Sequence, residues 1–301
     1  MKSVDLERGF GKEAVLFSSK QLAVQSCIEL LGARAGEIAV VSPITTDEET
    51  ISAILRSGAQ PVLLDIEPEH LQLHPGLLKE LMDEAEIVPA VVIDLPCGQE
   101  LHPELLEVVK DLPTVIISDR VPQNGETLVG SFRIYTFDSL IGTGAVVFHK
   151  YEDQIRELKL LRDGIFGHHA KLPDVLAPLI KHRWPKKFTH TNYSQLLTKA
   201  GLDDIILFSN IRGTDFAVKV PNARVMSVLI NDDVEIACEL GVNPLHRIEE
   251  FAERFVSDTP PFANAEKLEN SILFLPTDDE GDTERQIVEI LKETLNGEES
   301  E

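Results

Sequence analysis

The chain is poor in cysteine, in large aromatics and in positive charge. Its 301 residues include three cysteines, one tryptophan and three tyrosines. Cys27, Cys97 and Cys238 lie far apart and form no Cys-x-x-Cys pair, which argues against a disulfide framework or a zinc ribbon. Each reads as a small apolar filler. Lysine and arginine number 28 against 51 acids, a net charge of −23. Such a chain is repelled by nucleic acid and by anionic membrane, so neither is expected as a partner. No apolar run approaches the roughly 18 residues that span a bilayer. The opening MKSVDLERGFGKE has no apolar core of a signal peptide, and a cytoplasmic location is expected. Nine histidines are present. His168, His169, His182, His190 and His246 show no metal-ligand spacing, so no metal is expected. What remains is an ordinary globular composition, 43% apolar, long enough to bury a large core.

Short apolar runs alternate with amphipathic stretches through the first half. Ile38–Val41, Pro61–Asp65, Ala90–Asp94 and Val115–Asp119 are apolar runs closed by at most two polar residues rather than alternating segments, the pattern of parallel strands covered on both faces. Between them lie helical periods: Ser18–Leu31 closed by Gly32, Asp47–Ser57 closed by Gly58, Leu77–Met82 and His102–Lys110. Thr46 or Asp47 can cap the second of these. Strand–helix–strand repetition with short links predicts right-handed crossovers and a three-layer α/β/α domain. Phe132–Phe137 and Gly144–His149 read as two strands about the turn Gly142-Thr143-Gly144. Glu152–Arg162 reads as a helix and residues 164–214 as a mixed helical region. Arg224–Ile230 reads as a strand, Asp233–Leu240 and Ile248–Val256 as helices, Ser271–Leu275 as a strand and Thr283–Leu295 as a helix. The tail 296–301 is glycine and acid and reads as disordered.

The order of these segments resembles the DegT/DnrJ/StrS-type sugar aminotransferases, which use pyridoxal phosphate on the fold-type-I scaffold. Phe17–Gly36 is similar to that family's Ser-Gly-Thr helix with its following Leu-Gly. Pro43-Ile44-Thr45-Thr46, Gly58-Ala59, Pro61-Val62 and Asp65-Ile66-Glu67 continue the likeness. Ile117-Ser118-Asp119 is similar to the strand ending in Glu-Asp-x-Ala. Tyr135-Thr136-Phe137 resembles Phe-Ser-Phe, and Gly142-Thr143-Gly144-Ala145 resembles Gly-Glu-Gly-Gly. Pro261–Glu266 and Leu273–Pro276 resemble the family's late Phe-Pro-Asn-Ala-Glu and Leu-Pro pair. The resemblance implies a fold-type-I large domain over 1–155, a helical connection over 156–216 and a small C-terminal α/β domain over 217–295. It also implies a dimer, with an N-terminal arm shortened to about Met1–Glu13.

In that family a lysine between the Phe-Ser-Phe strand and the glycine-rich turn holds the cofactor and moves the substrate proton. Here Asp138, Ser139, Leu140 and Ile141 fill the gap, with neither lysine nor histidine. Lys150 lies beyond the next strand, about 20 Å away at strand rise. Ser19-Lys20-Gln21 stands where the family has its phosphate-binding Ser-Gly-Thr. Lys20 can attract a phosphate, but it replaces the glycine that permits close backbone approach. The plain alternative is an exposed helix start. Asp47 stands where an aromatic would stack on the cofactor ring, and it offers no stacking face. Asp119 matches the partner of the ring nitrogen, or is a carboxylate held by Arg120 or loop N–H groups. Thr136 can donate a hydroxyl to phosphate, or serve only as a strand residue. Trp184 with Lys186-Lys187 is an anionic-ligand patch or a solvated basic corner.

These residues lead us to expect a catalytically degenerate aminotransferase-like protein. No residue is assigned to catalysis. Ser19, Lys20, Gln21, Asp119 and Thr136 are its vestigial cofactor contacts. No cofactor is expected, and pyridoxal phosphate, if held, is held without a covalent bond. The expected partners are a second copy or an active paralogue, with a nucleotide sugar as ligand. The alternative is a working pyridoxal-phosphate enzyme that draws its amine from an unexpected lysine such as Lys20 or Lys171.

Overall fold

The computed structural model describes residues 2–11, 13–33, 37–84, 90–119, 130–137, 142–165, 167–183, 193–208, 215–234, 242–249, 262–276 and 282–298. Its strands begin with β1 (Ala14–Phe17), β2 (Ile38–Val41) and β3 (Gln60–Leu63), followed by a short hairpin of β4 (Ile66–Glu67) and β5 (Gln72–Leu73). Then come β6 (Ala90–Leu95), β7 (Thr114–Ser118), β8 (Phe132–Thr136) and β9 (Ala145–Phe148). Seven of them form one sheet in the order β1-β9-β8-β7-β6-β2-β3. Only β9 runs against the other six. The expected three-layer α/β/α domain on a mostly parallel sheet is therefore what the chain forms.

Helices cover both faces of the sheet. On one side lie α2 (Lys20–Leu31), α3 (Glu48–Ser57) and α6 (Glu152–Leu160), which pack on Val15, Phe17, Val92, Val115, Ile117 and Ile134. On the other, α4 (Pro75–Glu84) and α5 (Pro103–Val109) pack on Val40, Val91, Ile93 and Ile116. The same side carries α1 (Ser3–Phe10) and α7 (Ala177–Arg183), which pack on Leu16, Tyr135 and Val146. Successive strand residues point to opposite faces, so runs such as Val91-Val92-Ile93 feed two cores at once. Two sequence-predicted helix stops are glycines in the left-handed region, Gly32 at φ 85° and Gly58 at φ 88°. Asp47 is the cap of α3: its Oδ1 accepts from Thr50 N at 2.9 Å.

A second, two-stranded sheet pairs β10 (Asp215–Lys219) with β11 (Ile272–Pro276). It packs with α8 (Tyr193–Ala200), α9 (Ala223–Asp233) and α11 (Asp282–Glu298) around Phe216, Met226, Ile230, Leu273, Leu275 and Leu291. The strand expected over Arg224–Ile230 is a correction: those residues belong to α9. Ala223, Met226 and Ile230 are buried while Val225 and Val228 face solvent, a helical period that two exposed valines disguise as alternation. The last helix runs to Glu298, three residues into the stretch read as a disordered tail. Residues 235–241 and 250–256, where helices were expected, lie outside the described residues, as do 299–301. No described helix is long and apolar enough to cross a membrane.

Candidate functional site

The period of two along each strand decides which side chains meet beyond the sheet. Val92 on β6, Val115 and Ile117 on β7, and Phe132 and Ile134 on β8 all face the α2 layer. Two residues further along each row stand Asp94, Asp119 and Thr136. The strands are parallel and in register, with Asp94 opposite Ile117 and Ser118 opposite Tyr135, so the three polar side chains emerge together at the carboxyl ends. Ligands of open α/β sheets bind at such strand ends. Asp94, Asp119 and Thr136 do line a common cleft of about 280 Å³ there, together with Lys20 and Thr45.

Local sequence explains how the other wall is built. The Ser42 hydroxyl accepts from Ile44 N at 3.2 Å and Thr45 N at 3.1 Å, and Thr46 Oγ1 accepts from Ser42 N at 3.2 Å. These bonds fold the turn after β2 back over the cleft. Ser19 caps α2 by accepting from Leu22 N at 3.3 Å, which places Lys20 at the first helical position. The exposed helix start entertained for this stretch is overturned. Lys20 is 8% exposed, and its ammonium pairs with Asp47, the cap of α3. Of the five residues expected to make cofactor contacts, the structure brings Lys20, Asp119 and Thr136 to the cleft. Ser19 serves as the cap, and Gln21 does not line the cleft.

Asp94 was not anticipated. It is 9% exposed, and its Oδ2 has no hydrogen-bond partner among the described residues. Burial pushes its carboxyl up to about 8; Lys20 and a hydrogen bond with Thr46 oppose this, while the charges of Asp47 and Asp119 add to it. At neutral pH it is mostly protonated and can donate. Thr45 Oγ1 is likewise buried without a partner. Asp47 shows the opposite balance: lost hydration pushes it up, but Lys20's charge and hydrogen bond, with Thr50, hold it below the usual carboxylate range. The signal for Asp94 was in the sequence, as a single carboxylate closing an otherwise apolar strand.

Other lysines considered for chemistry stand elsewhere. Lys171 pairs with Asp163 at 3.3 Å, and the Lys150 ammonium lies 4.9 Å from the ring centre of Tyr151. Cys27 and Cys97 are buried. Cys97 lines the cleft in a left-handed conformation at φ 56°. Arg120, the link 138–141, Trp184, Lys186, Lys187, His190 and Cys238 lie outside the described residues.

No family profile matches the chain, and no curated protein does. Solved structures do. Spr1654 from Streptococcus pneumoniae in its PMP form superposes with a TM-score of 0.79 at 15% identity, over 100% of this chain and 92% of that one. A DegT DnrJ EryC1 StrS aminotransferase from Brucella abortus gives 0.76 at 13%, over 97% and 89%. The chain has the fold of the DegT/DnrJ/EryC1/StrS-type aminotransferases. NtdA from Bacillus subtilis, solved with bound cofactor PMP, gives 0.77 at 14% identity, over 97% of this chain and 77% of that one. Spr1654 has been solved in a PLP form as well. These structures correct the expectation that this chain has no cofactor: several proteins sharing its fold hold PLP or PMP.

The residues present fit such a group. The cleft offers Asp119 for a protonated ring nitrogen, a buried ammonium and a hydroxyl for a phosphate, and the unpartnered Asp94 and Thr45 oxygens for further polar atoms. An orphaned polar atom in a buried cleft carries a desolvation cost that a bound ligand would relieve.

Proposed function

We propose that the protein is a cofactor-binding relative of the sugar aminotransferases in which ordinary transamination has been lost. On this reading it holds a pyridoxal-phosphate-type cofactor at the strand ends and binds a nucleotide sugar beside it. It acts as a dimer, either with itself or with a competent paralogue. The observation that supports this best is the convergence of Lys20, Asp119 and Thr136, carried by three separate elements, on one cleft. The loss of transamination rests on the link Asp138-Ser139-Leu140-Ile141, which contains no amine.

When bound, pyridoxal phosphate supplies an electron sink for charge developing beside its carbonyl carbon. The chain's own side chains bind and orient. Asp119 accepts from the ring nitrogen and keeps it protonated. Lys20 and Thr136 face the phosphate with one positive charge and one hydroxyl. Asp94 holds or releases a proton at its Oδ2 as the occupant requires.

A second reading has a specific observation in its favour: Lys20 lines the cleft and is a primary amine. On that reading Lys20 takes the role of the missing lysine and the protein is active. Its pairing with Asp47 works against this, since an amine attacks a carbonyl only when neutral.

One experiment separates the readings. The purified protein is incubated with pyridoxal phosphate, followed by visible absorbance, reduced with borohydride and examined by mass spectrometry. A raised melting temperature with no pyridoxyl mass on any lysine is the expected result. At a ligand concentration 100-fold above the dissociation constant, binding stabilises by roughly 2.7 kcal/mol. A pyridoxyl mass on Lys20, with turnover of an amino donor abolished by Lys20→Met, establishes the second reading. A protein that ignores the cofactor overturns both. Melting curves with a panel of nucleotide sugars, and light scattering for the dimer, test the remaining parts.

A further inference from the structure

The polar side chains of the cleft come from the main sheet, from α2 and from the turn after β2. One lining residue comes from elsewhere: Phe274, on β11 of the small sheet. It is the only aromatic among the described residues that line the cleft. Alternation along β11 explains its presence. Leu273 and Leu275 point into the core of the small sheet, so Ile272 and Phe274 point the other way. Ile272 is buried with Ile66, Leu71, Val242 and Leu268, and Phe274 packs on that cluster while staying partly exposed. Ile44 packs on the same cluster and also lines the cleft.

Three ties outside the ring hold Phe274 in this place. Before β11, Asn264 Nδ2 donates to Ile66 O at 2.9 Å. Its partner strand β10 packs on the turn Pro96–Gly98, whose Pro96 and Cys97 line the cleft. Leu245 N donates to Pro43 O at 2.8 Å, one residue before Ile44. The phenyl ring is thus positioned by the backbone around it, backed on one side by the cluster and left partly uncovered where it lines the cleft. Ligand clefts pair apolar or aromatic walls with a few placed polar groups. Here the polar groups stand at the strand ends and the aromatic surface is brought by the small sheet.

We infer that Phe274 is the face on which a planar heteroaromatic ring rests in this cleft, so that the small sheet binds the ring and the main sheet makes the polar contacts. The inference rests on the reading that a pyridoxal-type cofactor occupies the cleft, and it names the side chain that selects for the cofactor's ring. A flat heteroaromatic ring carries its polar atoms on its edge and has two apolar faces. Its edge is served by the hydroxyl, carboxyl and ammonium groups of the cleft, and its face needs an aromatic or apolar surface. Phe274 therefore contributes to affinity for the ring and contributes nothing to affinity for a phosphate alone.

The test is calorimetry on the full chain, with pyridoxal phosphate titrated directly and inorganic phosphate measured by competition against it. The natural protein is compared with Phe274→Leu, which fills most of the same space without a ring face, and with Phe274→Tyr, which restores the face. In Phe274→Leu we expect pyridoxal phosphate to bind about three- to tenfold more weakly, the scale of an aromatic pair beyond its buried area, with the phosphate constant unchanged. Phe274→Tyr should bind the cofactor as the natural protein does. Unchanged cofactor affinity in Phe274→Leu, or cofactor and phosphate weakened by the same factor, overturns the inference and leaves the cofactor-binding reading intact. If the natural protein binds no pyridoxal phosphate, that reading falls, and the inference with it. Should Phe274→Leu fail to fold, Phe274→Trp decides instead. Its added emission, measured against that of the single natural tryptophan, should be quenched by pyridoxal phosphate at saturation and not by inorganic phosphate; no such quenching overturns the inference.

Discussion

Asp94 has a cost that can be measured. A carboxyl whose folded-state pKa is raised to about 8 keeps a proton that the unfolded chain gives up near pH 4. Between those values the native state binds more protons than the unfolded state, so stability falls as pH rises. The contribution is complete below about pH 4 and is lost as pH passes through about 8, at a limiting slope of about 1.4 kcal/mol per pH unit. Asp94→Asn removes the ionisable group with almost no change in shape. Urea unfolding at pH 6 and at pH 8.5 should show the variant losing less stability than the natural protein over that interval, by about 1 kcal/mol or more. Equal losses would mean that Asp94 is not the buried acid described here. A residue that weakens the fold at working pH is a candidate for function, because destabilising groups persist where activity needs them.

At the scale of elements, two stretches that carry the family resemblance turn out to hold each other. Asp65, just after β3, accepts from Asn264 N at 3.0 Å and Ala265 N at 3.1 Å, and Asn264 Nδ2 donates to Ile66 O at 2.9 Å. Asp65 thereby caps α10 (Ala263–Glu269) from 200 residues away and ties the small sheet's approach to the main domain. Asp65→Ala should cost roughly 1 kcal/mol, the value of a helix cap, and Asp65→Asn should recover part of it. Thermal unfolding of the two variants decides the matter, and no loss in either would refute the cap. The strands were legible because an unbroken apolar run has few other uses, and the caps because Gly32, Gly58 and Asp47 have narrow local reasons to be where they are. The α9 helix was not, since Val225 and Val228 sit exposed and break the polar face. The burial of Lys20 was hidden for a related reason. A lysine at a helix start looks solvated until the turn 42–46 folds back and Asp47 arrives, which only tertiary structure reveals. Asp94 could have been found by counting in twos from Val92.

For the whole molecule, the net charge of −23 sets two kinds of electrostatics against each other. Repulsion among exposed acids is long-ranged and screened by salt, with a Debye length near 30 Å at 0.01 M and near 10 Å at 0.1 M. Buried ion pairs are screened far less. One such pair fastens the N-terminal helix: Glu7 on α1, 8% exposed, accepts from Leu16 N at 2.9 Å and pairs with Arg162, whose Nη1 also donates to Leu16 O at 2.9 Å. This knot joins α1, the edge strand β1 and the turn after α6. Raising salt from about 0.01 M to about 0.1 M should therefore raise the melting temperature, by relieving surface repulsion. Glu7→Ala leaves the buried Arg162 guanidinium with Asp163, at 2.8 Å, as its remaining carboxylate and should cost about 2 kcal/mol, the scale of a hydrogen bond to a charged group. That loss should be nearly the same at both salt concentrations, because the pair sits out of reach of mobile ions. Melting curves of both proteins at the two salt levels give four numbers. If the Glu7→Ala deficit shrinks as salt is added, the pair behaves as a solvated surface contact, and the N-terminal helix is held by packing of Leu6 and Phe10 instead.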